Sequence, residues 1–315
     1  MYRFVSGRTK KNLISDYLKL FKQDIDKKWE RQIKECLLLA TAMLPGMTPK
    51  ELLVAEFTKL VDVYWYFINY TNTLSSTEVI AVCDSAKSVF TYDSYSSKIA
   101  AFLTNPKNRY EIYNCVYCDE NKVSVISHKG KNVRRFDLDH VLDKGKCPLT
   151  ALSLFNFVPS CETCNDPPFK GVHTIGDTQD EVKKLSPTNP SYDFEHNVRF
   201  VVNPKYPNVS AIPKLNHQRE YEIDFDYKDI TYKKSVELFG LKSRYNEDFL
   251  LEALRYLDLK DKYTPVYIRN LAERSGGRSY EEVYEEIYEE HFKISFDRMN
   301  HSPYRKAKED ILGIK

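Results

Sequence analysis

Two Cys-x-x-Cys pairs, Cys115-Val116-Tyr117-Cys118 and Cys161-Glu162-Thr163-Cys164, constrain this chain more than any other feature. One pair alone is a weak signal, because redox motifs and chance give the same spacing. Two pairs supply four thiolates, which match the tetrahedral preference of zinc. A structural Zn²⁺ held by Cys115, Cys118, Cys161 and Cys164 is therefore expected. The stretch between the pairs is longer than in an ordinary zinc ribbon, so something is inserted between the halves of the clip. Cys36, Cys83 and Cys147 fall outside both pairs and read as small buried side chains.

The 315 residues can bury a full core and hold two or three structural units. An aromatic content of 13% argues against extensive disorder. The formal net charge of +2 gives no global basic field, so any nucleic-acid surface must be local. The segment Met1–Lys11 lacks the apolar run of a signal peptide. The most apolar stretch, Leu52–Tyr70, is interrupted by Glu56, Lys59 and Asp62, which suits a buried helix rather than a membrane span. A cytoplasmic protein without membrane contact is expected.

Three regions follow from the patterning. Residues 1–107 read as helical. Leu18, Phe21, Ile25, Trp29, Ile33, Cys36, Leu37 and Ala40 recur at helical spacing up to Pro45-Gly46. Thr48, Pro49 and Glu51 then form a capping box for a helix carrying Leu53, Phe57, Leu60, Tyr64 and Ile68. Residues 108–175 hold the cysteines, with Lys122–Leu142 read as two strands joined by a turn at His128–Asn132. Residues 176–315 read as mixed and mostly helical. Strands are expected at Val198–Asn203 and Tyr221–Asp226, and a capped acidic helix from Ser279. The fold class is α+β.

The insertion contains Phe136-Asp137-Leu138-Asp139-His140-Val141, and Asn165 follows the last cysteine directly. With Phe155-Asn156-Phe157-Val158-Pro159-Ser160-Cys161, this order resembles the HNH (ββα-metal) endonucleases, zinc-stapled bacterial members in particular. The resemblance implies a ββα-metal core and a hydrolase of phosphodiester bonds, with DNA expected before RNA. It implies His140 as general base, Asp139 and Asn165 as ligands of Mg²⁺ or Mn²⁺, and Asn156 orienting the imidazole or the loop. Histidine suits that task because its intrinsic pKa lies near neutrality, and oxygen donors suit a hard cation. Asp137, on the same strand face as Asp139, is a candidate second acid. Pro167-Pro168 require any helix carrying Cys161–Asn165 to be short.

Lys129, Lys131, Arg134 and Arg135, with Lys122 and His128, cluster ahead of Asp139 and make a candidate phosphate track. Lys170 matches a frequent family lysine and is a candidate phosphate contact. Leu185–Phe200 and Phe239-Gly240-Leu241-Lys242-Ser243-Arg244-Tyr245-Asn246 resemble elements of the HNH subunit of Septu-like anti-phage systems. That resemblance implies an ATPase partner and leaves the helical front as a partner-docking region. The alternative from the residues alone is a non-catalytic zinc-ribbon module that binds nucleic acid or protein and needs the zinc but neither Asp139 nor His140.

Overall fold

The computed structural model of the chain describes residues 2–21, 24–210, 215–292 and 302–314. Helices predominate, and the strands among the described residues pair as three separate antiparallel ribbons. The chain divides into two units, one of residues 2–117 and 123–193, the other of residues 118–122 and 194–315. Among the described residues, no helix is long and apolar enough to cross a membrane.

In the first unit the helical front is more broken than the periodicity suggests. The expected continuous helix from Leu18 to Ala40 is divided among Lys10–Leu18, Asp24–Glu35 and Leu37–Ala42. The last break falls at Cys36, whose extended backbone (φ −137°, ψ 93°) starts a new helix. Thr48 and Glu51 do form the reciprocal capping box, but the helix they cap is the single turn Pro49–Leu52. The main helix, Phe57–Thr71, starts after it, and Ser76–Val89 and Tyr92–Leu103 follow. Leu60, Val61, Phe67 and Val89 are fully buried. Removing such side chains from water is the main stabilising contribution, about 1.5–3 kcal/mol each.

The region expected as two strands holds three. β1 (Val125–His128) and β2 (Lys131–Arg134) form a hairpin closed by Lys129 and Gly130, whose φ values of 50° and 73° suit a two-residue primed turn. β3 (Asp137–His140) does not continue that ribbon. It pairs instead with β4 (Phe157–Ser160), in a register that sets His140 opposite Phe157 and Asp139 opposite Val158. β4 is buried throughout, and β3 is buried from Leu138 to His140. The hairpin is exposed, including Val125, Ile126 and Val133. The one-turn helix Glu162–Asn165 follows β4 and packs on β3.

The residues between β3 and β4 form a loop fastened to the helical front. The Tyr17 hydroxyl donates to the Leu152 carbonyl at 2.8 Å, and Ser153 Oγ donates to the Leu52 carbonyl at 2.8 Å. The Leu154 amide donates to the Leu53 carbonyl at 2.8 Å. Buried backbone groups of a loop must find partners, and here the front supplies them.

In the second unit, β5 (Val198–Pro204) pairs with β6 (Tyr221–Tyr227), close to the expected bounds. Arg305–Leu312 packs on β5, and Leu241–Asp248 on β6. Phe200 packs against Tyr245 with ring centroids 4.8 Å apart and planes tilted by 30°, and Tyr245 is fully buried. The acidic helix Tyr280–Phe292 begins with Ser279 and Glu282 exchanging the expected capping bonds.

Candidate active site and metal centre

The four cysteines converge. The sulfurs of Cys115, Cys118, Cys161 and Cys164 lie within 4.8 Å of one another, and all four residues are buried and free of disulfides. Tetrahedral zinc with Zn–S bonds of ~2.3 Å sets its sulfurs a little under 4 Å apart, so the donor set fits a closed structural site. Among the described residues this is the one group of three or more His, Cys, Asp or Glu side chains whose donor atoms converge.

Each half of the clip sends one side chain to Asp139. Tyr117, between the first two cysteines, donates its hydroxyl to Asp139 Oδ2 at 2.6 Å. Lys170, whose backbone amide donates to the Cys164 carbonyl, donates Nζ to Asp139 Oδ1 at 2.9 Å and to the His140 carbonyl at 2.8 Å. Asp139 is 4% exposed and Lys170 1% exposed. A buried charge is tolerable only when paired and hydrogen-bonded, and this pair meets both conditions. Lys170, a candidate phosphate contact from the sequence, thus has its ammonium committed to Asp139 and the His140 carbonyl. Its ammonium is enclosed, and it holds Asp139 and the end of β3.

His140, the last residue of β3, faces different elements. Its Nε2 lies 3.0 Å from the Ala151 carbonyl. Its ring meets Tyr92 edge-on at 4.6 Å and Phe157 at 4.9 Å. Burial first, then the positive charges of Lys144 and Lys170, pushes its pKa down to about 3, against the opposing pull of the Ala151 bond. The imidazole is thus neutral at physiological pH. A carbonyl can only accept, so Nε2 carries the proton and Nδ1 keeps its lone pair. Nδ1 has no hydrogen-bond partner among the described residues.

Asn156 positions the loop rather than the ring. Its Oδ1 accepts from the Leu142 amide at 2.7 Å, and its Nδ2 donates to the carbonyls of Leu142 and Thr150 at 3.0 and 3.1 Å. The loop it closes is the one that brings Ala151 to His140. Asn165 ends the one-turn helix, half-buried, with Nδ2 3.4 Å from Asp166 Oδ1. Among the described residues no hydrogen bond joins it to Asp139 or His140. Burial and the nearby carboxylate of Asp166 raise the pKa of Asp137, while Arg134 pulls it down.

The hairpin cations Lys129, Arg134 and Arg135 are exposed, as are Lys122 and His128. The side chain of Lys131 lies outside the described residues. Three residues at the site escaped sequence reasoning. Tyr117 carried a usable signal, since it sits between two ligands. Tyr92 and Lys144 carried none: Tyr92 opens a helix far upstream, and Lys144 Nζ lies 4.5 Å from its ring centroid. In the second unit, Tyr245 donates to the Cys118 carbonyl at 2.6 Å, Arg244 pairs with Glu120, and Asn246 bonds the backbone of Ile223. Compared with protein-family models, curated proteins and solved structures, the chain finds no match.

Proposed function

We propose that the chain is a metal-dependent endonuclease of the HNH type, cutting phosphodiester bonds of DNA in preference to RNA at His140. The observation that carries this reading is the state of His140. Its Nε2 is committed to Ala151, and its neutral ring keeps a lone pair on Nδ1 at the edge of a zinc-clipped strand pair. Such a nitrogen is a general base. A water oxygen attacks the phosphorus as its proton passes to Nδ1. The P–O3′ bond breaks, and the departing oxygen takes a proton from solvent, which leaves 5′-phosphate and 3′-hydroxyl ends. The negative charge of a phosphate beside the ring favours the imidazolium and so raises the basicity that burial depresses.

A bound Mg²⁺ or Mn²⁺ would supply Lewis-acid charge to the phosphate and the departing oxygen. Asp139 would hold it through lone pairs not taken by Tyr117 and Lys170, and Asn165 through its amide oxygen. Burial and the carboxylates around Asp137 raise its pKa, and this crowding of acids supports a cation there. An ATPase partner and a role in anti-phage defence belong to the same reading and rest on the resemblance of Leu185–Phe200 and Phe239–Asn246.

One observation favours a second reading, a non-catalytic zinc module. Lys170 already neutralises Asp139, and Asp139 and His140 contact different elements. On that reading Asp139 anchors the clip and His140 is a core histidine. Incubation of plasmid DNA and of RNA with the zinc-loaded protein, with and without Mg²⁺ or Mn²⁺, followed by end-group analysis, separates the two. Cation-dependent cutting with 5′-phosphate ends supports the nuclease. Zinc-loaded protein that binds nucleic acid but never cuts it, with either cation, refutes it.

A further inference from the structure

The surface above His140 is built from three elements. Tyr92, the first residue of the helix Tyr92–Leu103, covers one side of the imidazole. Its ring also stacks on Phe157 at 5.9 Å, so it is held between strand β4 and the loop after β3. Lys144, exposed in that loop, places its ammonium over the Tyr92 ring. Arg134, at the end of the exposed hairpin, faces the Tyr92 hydroxyl, where its charge opposes the effect of burial on the phenol. A groove of about 460 Å³ runs on from Arg134 between β1 and the helix, lined by Ser97, Ala101, Thr104 and Asn105. Its walls are small and uncharged apart from Arg134.

We propose that Arg134, Tyr92 and Lys144 form the subsite that holds the nucleic-acid backbone against His140, with the continuing strand lying in the groove. This rests on the nuclease reading and adds the residues that place the substrate. Two cations bracket an aromatic plate, and the base to be supplied with a phosphate lies directly beneath that plate. Phosphate contacts fix position without reading sequence, and Lys144 over the Tyr92 ring and Arg134 beside its hydroxyl are placed to supply them. The small side chains of the groove leave room for a sugar–phosphate strand, and the chain otherwise lacks a global basic field that could do this work. The nearest acids, Asp93 and Asp137, would repel a phosphate unless screened, and the charge of Arg134 acts against that of Asp137. These are positioning residues, acting through the placement of the phosphate.

The test separates binding from cutting. Binding of a labelled DNA duplex, a DNA single strand and an RNA strand is measured by fluorescence anisotropy over a salt series, without Mg²⁺, for the zinc-loaded full chain. The variants are Arg134→Gln, Lys144→Gln, Tyr92→Leu and the conservative Arg134→Lys, with Lys262→Gln, an exposed lysine of the second unit paired with Asp258, for comparison. Each lost phosphate contact should lower the salt slope by about 0.7–0.9. Weaker binding of about tenfold is expected for Arg134→Gln and Lys144→Gln, with Arg134→Lys largely restored and Lys262→Gln unaffected. In cleavage assays the same variants should raise KM more than they lower kcat. Unchanged affinity and salt slope in both Gln variants, with the parent binding and cutting, overturns the subsite and leaves the nuclease standing. A parent that neither binds nor cuts any of the polymers overturns both.

Discussion

Replacing Lys170 by methionine tests how the clip holds the site. Lys170 is 1% exposed and donates to Asp139 Oδ1 at 2.9 Å and to the His140 carbonyl at 2.8 Å. Methionine fills similar volume but removes the charge and both bonds. Among the described residues it leaves Asp139, 4% exposed, with only the Tyr117 hydroxyl as side-chain partner. Breaking a buried pair from one side costs about 3–5 kcal/mol, because the remaining charge is left without its partner. For a unit of this size each kcal/mol corresponds to ~2–4 °C, so Tm should fall by roughly 6–20 °C. Adding Asp139→Asn removes the orphaned charge, and the double variant should recover about 1–3 kcal/mol over the sum of the single losses. Thermal and denaturant unfolding, with zinc content measured on each protein, read these values. A loss under about 1 kcal/mol in Lys170→Met, or strict additivity in the double variant, would refute the buried pair as the support of β3.

Three further outcomes follow from the same geometry. The protein should carry one zinc per chain, and Cys164→Ser or a strong chelator should abolish its binding and lower Tm; metal analysis beside calorimetry checks this, since structural zinc contributes directly to folding. Asn156→Ala strands the Leu142 amide and two buried carbonyls, at a cost of about 2–4 kcal/mol, and Asn156→Asp should not rescue it because a carboxylate cannot donate to those carbonyls. His140 stays neutral in the fold down to about 3 while the unfolded chain gains its proton near 6.5, so its contribution holds above pH 6.5 and declines as pH falls from there toward 3. Melting curves of the parent between pH 7 and 5 should therefore decline more steeply than those of His140→Gln, and parallel curves would contradict a neutral buried ring.

What the sequence revealed depended on how local each constraint is. The cysteine cluster was legible because a metal imposes spacing and residue type together. The capping boxes at Thr48 and Ser279 were legible because three residues define them, although Thr48 caps only one turn before the chain bends at Val54–Glu56. The pairing of β3 with β4 was not legible. It closes a loop whose anchors, Tyr17, Leu52 and Leu53, lie in the helical front, and no periodicity within Lys122–Leu142 encodes a partner beyond it. The burial of Lys170 was not legible for a similar reason. A lysine is ordinarily exposed, and only the enclosed carboxylate of Asp139 explains its burial. Tyr92 and Lys144 reach His140 through tertiary packing alone, so the residues that roof the candidate base come from stretches that carry no motif.

The most direct test of the nuclease reading compares the parent with His140→Ala on supercoiled plasmid in Mg²⁺, with zinc measured in both. The account predicts nicking or linearisation by the parent, at least a hundredfold less by the variant, and equal zinc, as expected for loss of a general base. Equal cutting by the two zinc-loaded proteins would contradict it, because no water would then depend on the lone pair of His140.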